Sequence, residues 1–279
     1  MPEGSPFSSA VSASRLPRYQ VGPVAFSRTH FGNLVASLES FFKEPSSANY
    51  VCVSNVHTTV ECRADRLLRS IQNDSFLTIA DGQPIVLYGR IRGVNGIQRI
   101  MGPDIMTQVF AAPECGQRRH YFLGGAPETL AKMERNLLAR FPRLRIAGMY
   151  SPPFRKLTAD EESGMRKAIL DAKPDYLWVC FGAPKQEYWM QANHAAYPGI
   201  LLIGIGAGFA YHAGELKRAP VWAQKLACEW LWRLAQDPKR LWKRYLKTNP
   251  IFVGMLLKAL VGRLFGKTAS PGAGGTPTG

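Results

Sequence analysis

The chain contains no D-x-D, no Walker A segment, and no G-x-G-x-x-G followed by a ribose-binding acid. These absences remove the commonest signatures of metal-held, P-loop and dinucleotide sites. Cysteine is scarce: Cys52, Cys62, Cys115, Cys180 and Cys228 are scattered, and no C-x-x-C occurs. Neither a structural zinc site nor a disulfide framework is indicated, and free thiols fit a reducing compartment. His57, His194 and His212 are isolated and have no zinc spacing. No apolar run reaches the length of a membrane span; the nearest, PIFVGMLLKALVGRLFG, is broken by Lys258 and Arg263. Acids are outnumbered, 20 Asp and Glu against 35 Lys and Arg.

What is present is charge of one sign and alternating apolar segments. A net charge of +15 suggests an acidic partner: nucleic acid, an anionic membrane or a phosphorylated substrate. A hydrophobic content of 46% over 279 residues is enough for a sizeable core. Residues 1–20 have no apolar core segment of the secretory kind and read as a disordered arm; 266–279 is low-complexity and reads as a flexible tail.

Between these ends, short apolar runs alternate with helical patterns. QVGPVAFSR and HFGNLVASLESFFKE open the series. YVCVSN (50–55), SFLTIADG (75–82), HYFLGG (120–125), DYLWVCFG (175–182) and GILLIGIGAG (199–208) are strand-like. LLIGI and LWVCF are continuously apolar, the habit of strands buried on both faces of a parallel sheet. The pattern predicts an α/β domain over 21–216: a Rossmann-like, mostly parallel sheet with helices on both faces.

Open sheets of this kind bind ligands beyond the carboxyl ends of their strands. The residues there are Asn55, Asp81, Gly124 and Gly125, Gly182 with Gln186, and Gly206. Glycine turns let a backbone approach a phosphate, and Pro127 and Pro184 suit the first turns of the helices that follow. The same glycines also serve as ordinary strand-to-helix punctuation, and Asp81-Gly82 can be simple turn chemistry. Without an acidic metal pair, a bound diphosphate would be met by Arg and Lys, arginine being able to bind bidentately.

From Lys217 the character changes. Lys217 to Lys267 carries twelve Lys or Arg against two acids, Glu229 and Asp237. Apolar residues recur at helical spacing: Trp222, Leu226, Trp230, Leu234. The segment 217–265 therefore predicts a basic amphipathic helical appendage. It can pack its stripe on the sheet domain, dock on a membrane surface, or stack on nucleic acid. No nucleic-acid-binding signature supports the last.

Six segments stand out together: ADGQPIV (80–86), FLGG (122–125), FGAPKQEYWM (181–190), GIGAGF (204–209), AGELKRAP (213–220) and EWLWRLAQDPKRLWKRY (229–245). In this order they resemble the WecG/TagA/CpsF glycosyltransferases, over roughly residues 20–252. The resemblance implies an inverting, metal-independent hexosyltransferase without a cofactor. It would move a sugar (N-acetylmannosamine, its uronic acid, or glucose) from a UDP-sugar to a polyprenyl-diphosphate-linked sugar in polysaccharide or exopolysaccharide assembly.

It also implies a cytoplasmic protein held peripherally at the inner face of a bacterial plasma membrane through 217–265, with homo-oligomers frequent. Asp81 falls on the proposed general base, Asn55 and Gln186 on further catalytic positions. Arg233 falls on the arginine that meets the leaving diphosphate, with Arg240 and Lys243 as additional basic contacts. Gly124, Gly125, Gly182 and Gly206 fall on the donor loops. The chain departs from the family pattern at Val53, where Ser54 would point to the other side of the strand, and at Ala210. Another nucleotide-sugar enzyme, or a non-catalytic basic adaptor for membrane or RNA, remains the alternative.

Overall fold

A computed structural model describes residues 16–43, 49–220, 223 and 228–265. The chain opens with an antiparallel hairpin of β1 (Arg18–Val21) and β2 (Val24–Ser27), a two-stranded sheet of its own. Strand structure therefore begins within the segment expected to be an arm. Tyr19 and Val21 are buried, and the Arg18 guanidinium donates to the carbonyl of Asn73 at 2.6 Å, which ties the strand down. Residues 1–15 and 266–279 lie outside the described residues.

After α1 (Phe31–Lys43) come β3 (Tyr50–Ser54), α2 (Val56–Glu61), α3 (Arg66–Asp74), β4 (Leu77–Ala80), α4 (Gln83–Ile91) and α5 (Gly102–Ala111). Then follow β5 (Arg119–Gly124), α6 (Pro127–Arg140), β6 (Arg145–Tyr150), α7 (Ala159–Asp171), β7 (Tyr176–Cys180), α8 (Lys185–Asn193), β8 (Leu201–Gly204) and α9 (Gly208–His212). Six strands form one parallel sheet in the order β4-β3-β8-β7-β5-β6. The predicted parallel α/β architecture is the one observed. One strand escaped the sequence reading: β6 lies at the sheet edge and is only half-buried, so it lacks the continuous apolar run of its neighbours.

Both faces of the sheet are covered. On one, Val51, Val53, Phe122, Trp178 and Ile203 pack with Leu34 and Leu38 of α1, Met106 and Phe110 of α5, and Met133 of α6. On the other, Tyr50, Cys52, Leu123, Val179 and Leu202 pack with Ile71 of α3, Ile169 of α7 and Met190 of α8. Alternate residues of one strand thus serve opposite cores. The described cysteines are all free.

The appendage comprises α10 (Glu229–Gln236) and α11 (Pro238–Leu264). Phe252 of α11 is buried in a third core with Tyr19, Phe26, Ile85 and Val86. This anchors α11 against the hairpin and α4. Of the expected Trp stripe, Trp222 and Leu226 lie outside the described residues; Trp230 meets Tyr245 edge-on at 5.7 Å. A flank of α11 turned away from Phe252 keeps a row of apolar residues in solvent: Trp242, Leu246, Leu257, Leu260 and Leu264. Among the described residues no helix is long and apolar enough to cross a membrane.

Candidate active site

Parallel strands bring all their carboxyl ends to one edge, so residues far apart in the chain meet there. A cavity of about 1260 Å³ opens at that edge. Asn55, Asp81, Gly124, Gly125, Gly182, Gln186, Gly206 and Arg233 all line it. A second cavity of about 370 Å³ lies beside it, between the start of α4 and the appendage. Trp230, Tyr245, Phe252, Val253 and Leu256 make much of its wall apolar. Six residues line both: Asn55, His57, Asp81, Met101, Arg233 and Arg244.

Asp81 follows β4 directly, and its backbone N–H donates to the carbonyl of Ser54 at 2.8 Å, extending the ladder by one bond. Gly82 then caps α4 with extended backbone (φ 175°), so Asp81-Gly82 is a strand-to-helix junction and not a reversing turn. Burial pushes the Asp81 carboxyl up to about 7, against the lowering effect of Arg233 and, further down the order, Arg99; Glu229 and Asp104 push it up too. A carboxyl of that affinity can take a proton near neutrality.

Asn55 caps α2, its Oδ1 accepting from the N–H groups of His57 and Thr58 at 3.0 and 3.3 Å. Neither bond uses its Nδ2. Ser54 is buried, and its hydroxyl bonds Gln72 of α3; as the strand alternation predicts, it points away from the cavity, which Val53 lines instead. Ala210 also lines the larger cavity.

The glycines divide by role. Gly124 has φ +110°, and a Cβ there would fall 2.5 Å from the carbonyl oxygen of Cys180, so only glycine fits. Gly206 does not offer its amide to a ligand: its N–H donates to Gln186 Oε1 at 3.0 Å, and its carbonyl accepts from the Cys180 thiol at 2.8 Å.

Arg233 reaches the site from α10. Neighbouring Tyr211, Tyr245, Asp81 and Glu229 favour its charge and outweigh its burial, so its affinity for the proton is raised further. The Arg99–Glu229 ion pair fastens α10 to the sheet domain, and both groups are mostly buried. Arg99→Met is expected to destabilise the fold by about 3 kcal/mol, because the mostly buried Glu229 carboxyl loses its ion-pair partner. Urea unfolding of the variant checks this; an unchanged midpoint would remove the pair as a fastening.

The sequence reading missed several of these residues. Arg244 lines both cavities, four residues beyond Arg240 on the same helix face; the side chain of Arg240 lies outside the described residues. Lys243, by contrast, sits 5.5 Å over the Trp242 ring and lines neither cavity. His57 lines both, and burial, with Arg244 and Lys247, holds its proton affinity down to about 4, so it is neutral. The loop after β6 was also missed. It brings Phe154, 93% exposed, and Arg155 to the mouth of the larger cavity. Ser151 Oγ donates to the carbonyl of Gly125 at 2.6 Å, and Arg155 pairs with Glu161 at 2.6 Å, holding that loop at both ends. Among the described residues no group of three His, Cys, Asp or Glu is placed to hold a metal ion.

Fold and crevice define an α/β enzyme with a carboxylate and arginines gathered at the carboxyl edge of a parallel sheet. The chain belongs to the glycosyl transferase WecG/TagA/CpsF family, whose model matches residues 19–265, and it is a glycosyltransferase. It is similar to the N-acetylglucosaminyldiphosphoundecaprenol N-acetyl-beta-D-mannosaminyltransferase of Bacillus spizizenii, 24% identical over 238 residues, 85% of this chain and 90% of that protein. The protein of that name from Staphylococcus aureus strain MW2 is 26% identical over 237 residues, 85% of this chain and 91% of its own length.

Proposed function

We propose that the protein transfers a hexosyl group, with inversion, from a UDP-sugar to a sugar carried on a polyprenyl diphosphate. The observation that carries this reading is the pair of adjoining cavities with Asp81, Arg233 and Arg244 on their common wall. A transfer between two substrates needs its base and its charge-stabilising groups at such a junction. The larger, glycine-lined cavity takes the donor, with Phe154 offering a ring face to the uracil. The smaller, largely apolar cavity takes the acceptor. The relatives' names supply an undecaprenol-linked N-acetylglucosamine acceptor and an N-acetylmannosaminyl donor group, and we carry both to this chain as the first pair to test.

In this mechanism the ionised Asp81 accepts the proton of the acceptor hydroxyl as its oxygen bonds the anomeric carbon. The bond from that carbon to the diphosphate oxygen breaks on the opposite side, and UDP leaves. Arg233 and Arg244 meet the charge that grows on the departing diphosphate, preorganised by the fold. Arginine in place of a metal makes the reaction resistant to EDTA. The test is transfer from a panel of UDP-sugars to a polyprenyl-diphosphate-linked sugar with EDTA present. Product from one donor supports the reading; no product from any donor overturns it.

The exposed row on α11 supports contact with a bilayer, where the acceptor resides. Leu246 is 69% exposed, and Lys243, Lys247 and Lys258 lie along the same helix. Leu246→Glu with Leu257→Glu is expected to lower binding to vesicles containing anionic lipid at least about tenfold in cosedimentation, since each change replaces apolar burial by charge repulsion. Retained binding would place the membrane contact elsewhere.

A further inference from the structure

Gln186 and Glu187 stand side by side at the start of α8, and both are buried, Gln186 to 1% exposure and Glu187 fully. Both ends of the Gln186 amide are engaged. Its Oε1 accepts from the Gly206 N–H at 3.0 Å, and its Nε2 donates to Glu187 Oε1 at 3.0 Å. The amide lies close against β8: a Cβ on Gly204 would fall 3.0 Å from its Nε2. Gln186 and Gly206 line the larger cavity, whereas Glu187 lines neither.

A side-chain amide has two ends of nearly equal shape and opposite polarity. Turned over, Gln186 would set its N–H groups against the Gly206 N–H and its carbonyl against the Glu187 oxygen. Both contacts would be repulsive, at a side chain only 1% exposed. The acceptor at Glu187 Oε1 therefore selects the orientation in which Gln186 holds the turn. Burial also pushes the Glu187 carboxyl up to about 7, and its Oε2 meets no partner. That suits a group kept as a hydrogen-bond acceptor more than as a charge.

We infer that Glu187 is a positioning residue of the donor subsite: it orients the Gln186 amide and so holds the Gly206–Ala207 turn against which the nucleotide donor seats. The inference rests on the reading of the larger cavity as the donor site. It predicts a role for a residue that touches no substrate.

The experiment compares wild type, E187Q and E187M by two measurements. One is hydrogen exchange of the segment 204–209 without nucleotide; the other is UDP affinity by titration calorimetry. E187Q keeps a carbonyl acceptor and is expected to stay within about threefold of wild type in both. E187M is expected to speed exchange of 204–209 and to weaken UDP binding, each by about tenfold, the effect of one lost buried hydrogen bond. Exchange in β5 and β7 should stay as in wild type. Q186M should reproduce the loss, and adding E187M to it should add nothing. If E187M does not fold, E187L takes its place.

Wild-type exchange and affinity in E187M would overturn the inference, as would E187Q behaving like E187M. If wild type itself does not bind UDP, the donor reading fails, while the exchange comparison still judges the hold on Gly206.

Discussion

Asp81→Asn is expected to lower the transfer rate by about a hundred- to ten-thousand-fold while leaving UDP affinity within about threefold. The asparagine keeps the shape and cannot take the acceptor's proton. Undiminished transfer would return Asp81 to a structural role at a strand end. The wild-type rate should itself fall on the acid side of about pH 7, because protonation of a carboxyl raised to about 7 removes the base. That acid limb should vanish from whatever residual rate the variant shows.

The same shift makes a prediction about stability. Asp81 has a folded-state affinity for the proton above its ordinary value, so its ionisation disfavours the folded state. Its contribution is fully present below about pH 4 and is lost as pH rises through about 7. Asp81→Asn, which stays neutral, should melt at a higher temperature than wild type at pH 8, and the two should converge near pH 4. Equal melting temperatures at pH 8 would show that the carboxylate is solvated well enough to ionise freely.

Arg233→Ala should remove about a hundred- to a thousand-fold of the rate, the scale of losing one preorganised charge-stabilising donor. Arg233 is also the strongest influence lowering the Asp81 carboxyl. Its removal should therefore move the acid limb of the pH–rate profile upward from about 7. The limb reports how close the Arg233 charge lies to Asp81, and the fall in rate at its plateau reports the loss of charge stabilisation. Arg233→Lys should keep much of the limb's position, since the charge stays, and lose rate, since the bidentate fork is gone. An unshifted limb in Arg233→Ala would place Arg233 away from Asp81 in the working enzyme.

Much of the fold was legible because strands buried on both faces have to be apolar at every position. LWVCF and LLIGI announce β7 and β8 for that reason, and the parallel sheet follows. The half-buried edge strand β6 carries no such requirement and gave no such signal. The loop it leads into, with Phe154 and Arg155 at the cavity mouth, was hidden with it. The candidate site was legible as a row of strand ends, Asn55 and Asp81 among them, since a parallel sheet brings those ends to one edge.

Tertiary structure alone decided how the row works. That Gln186 holds Gly206 depends on the start of α8 meeting the turn after β8 at 3.0 Å, a distance no spacing along the chain encodes. That Arg233 and Arg244 share a wall with Asp81 depends on Phe252 seating α11 in the hairpin core and on Glu229 pairing with Arg99. The sequence by itself determined which groups could carry charge and protons, through residue type and local pattern. Which of them act on one another was decided by packing between segments 20 residues apart at Gln186 and Gly206 and 130 apart at Arg99 and Glu229, because electrostatic and hydrogen-bond energies depend on distance through space.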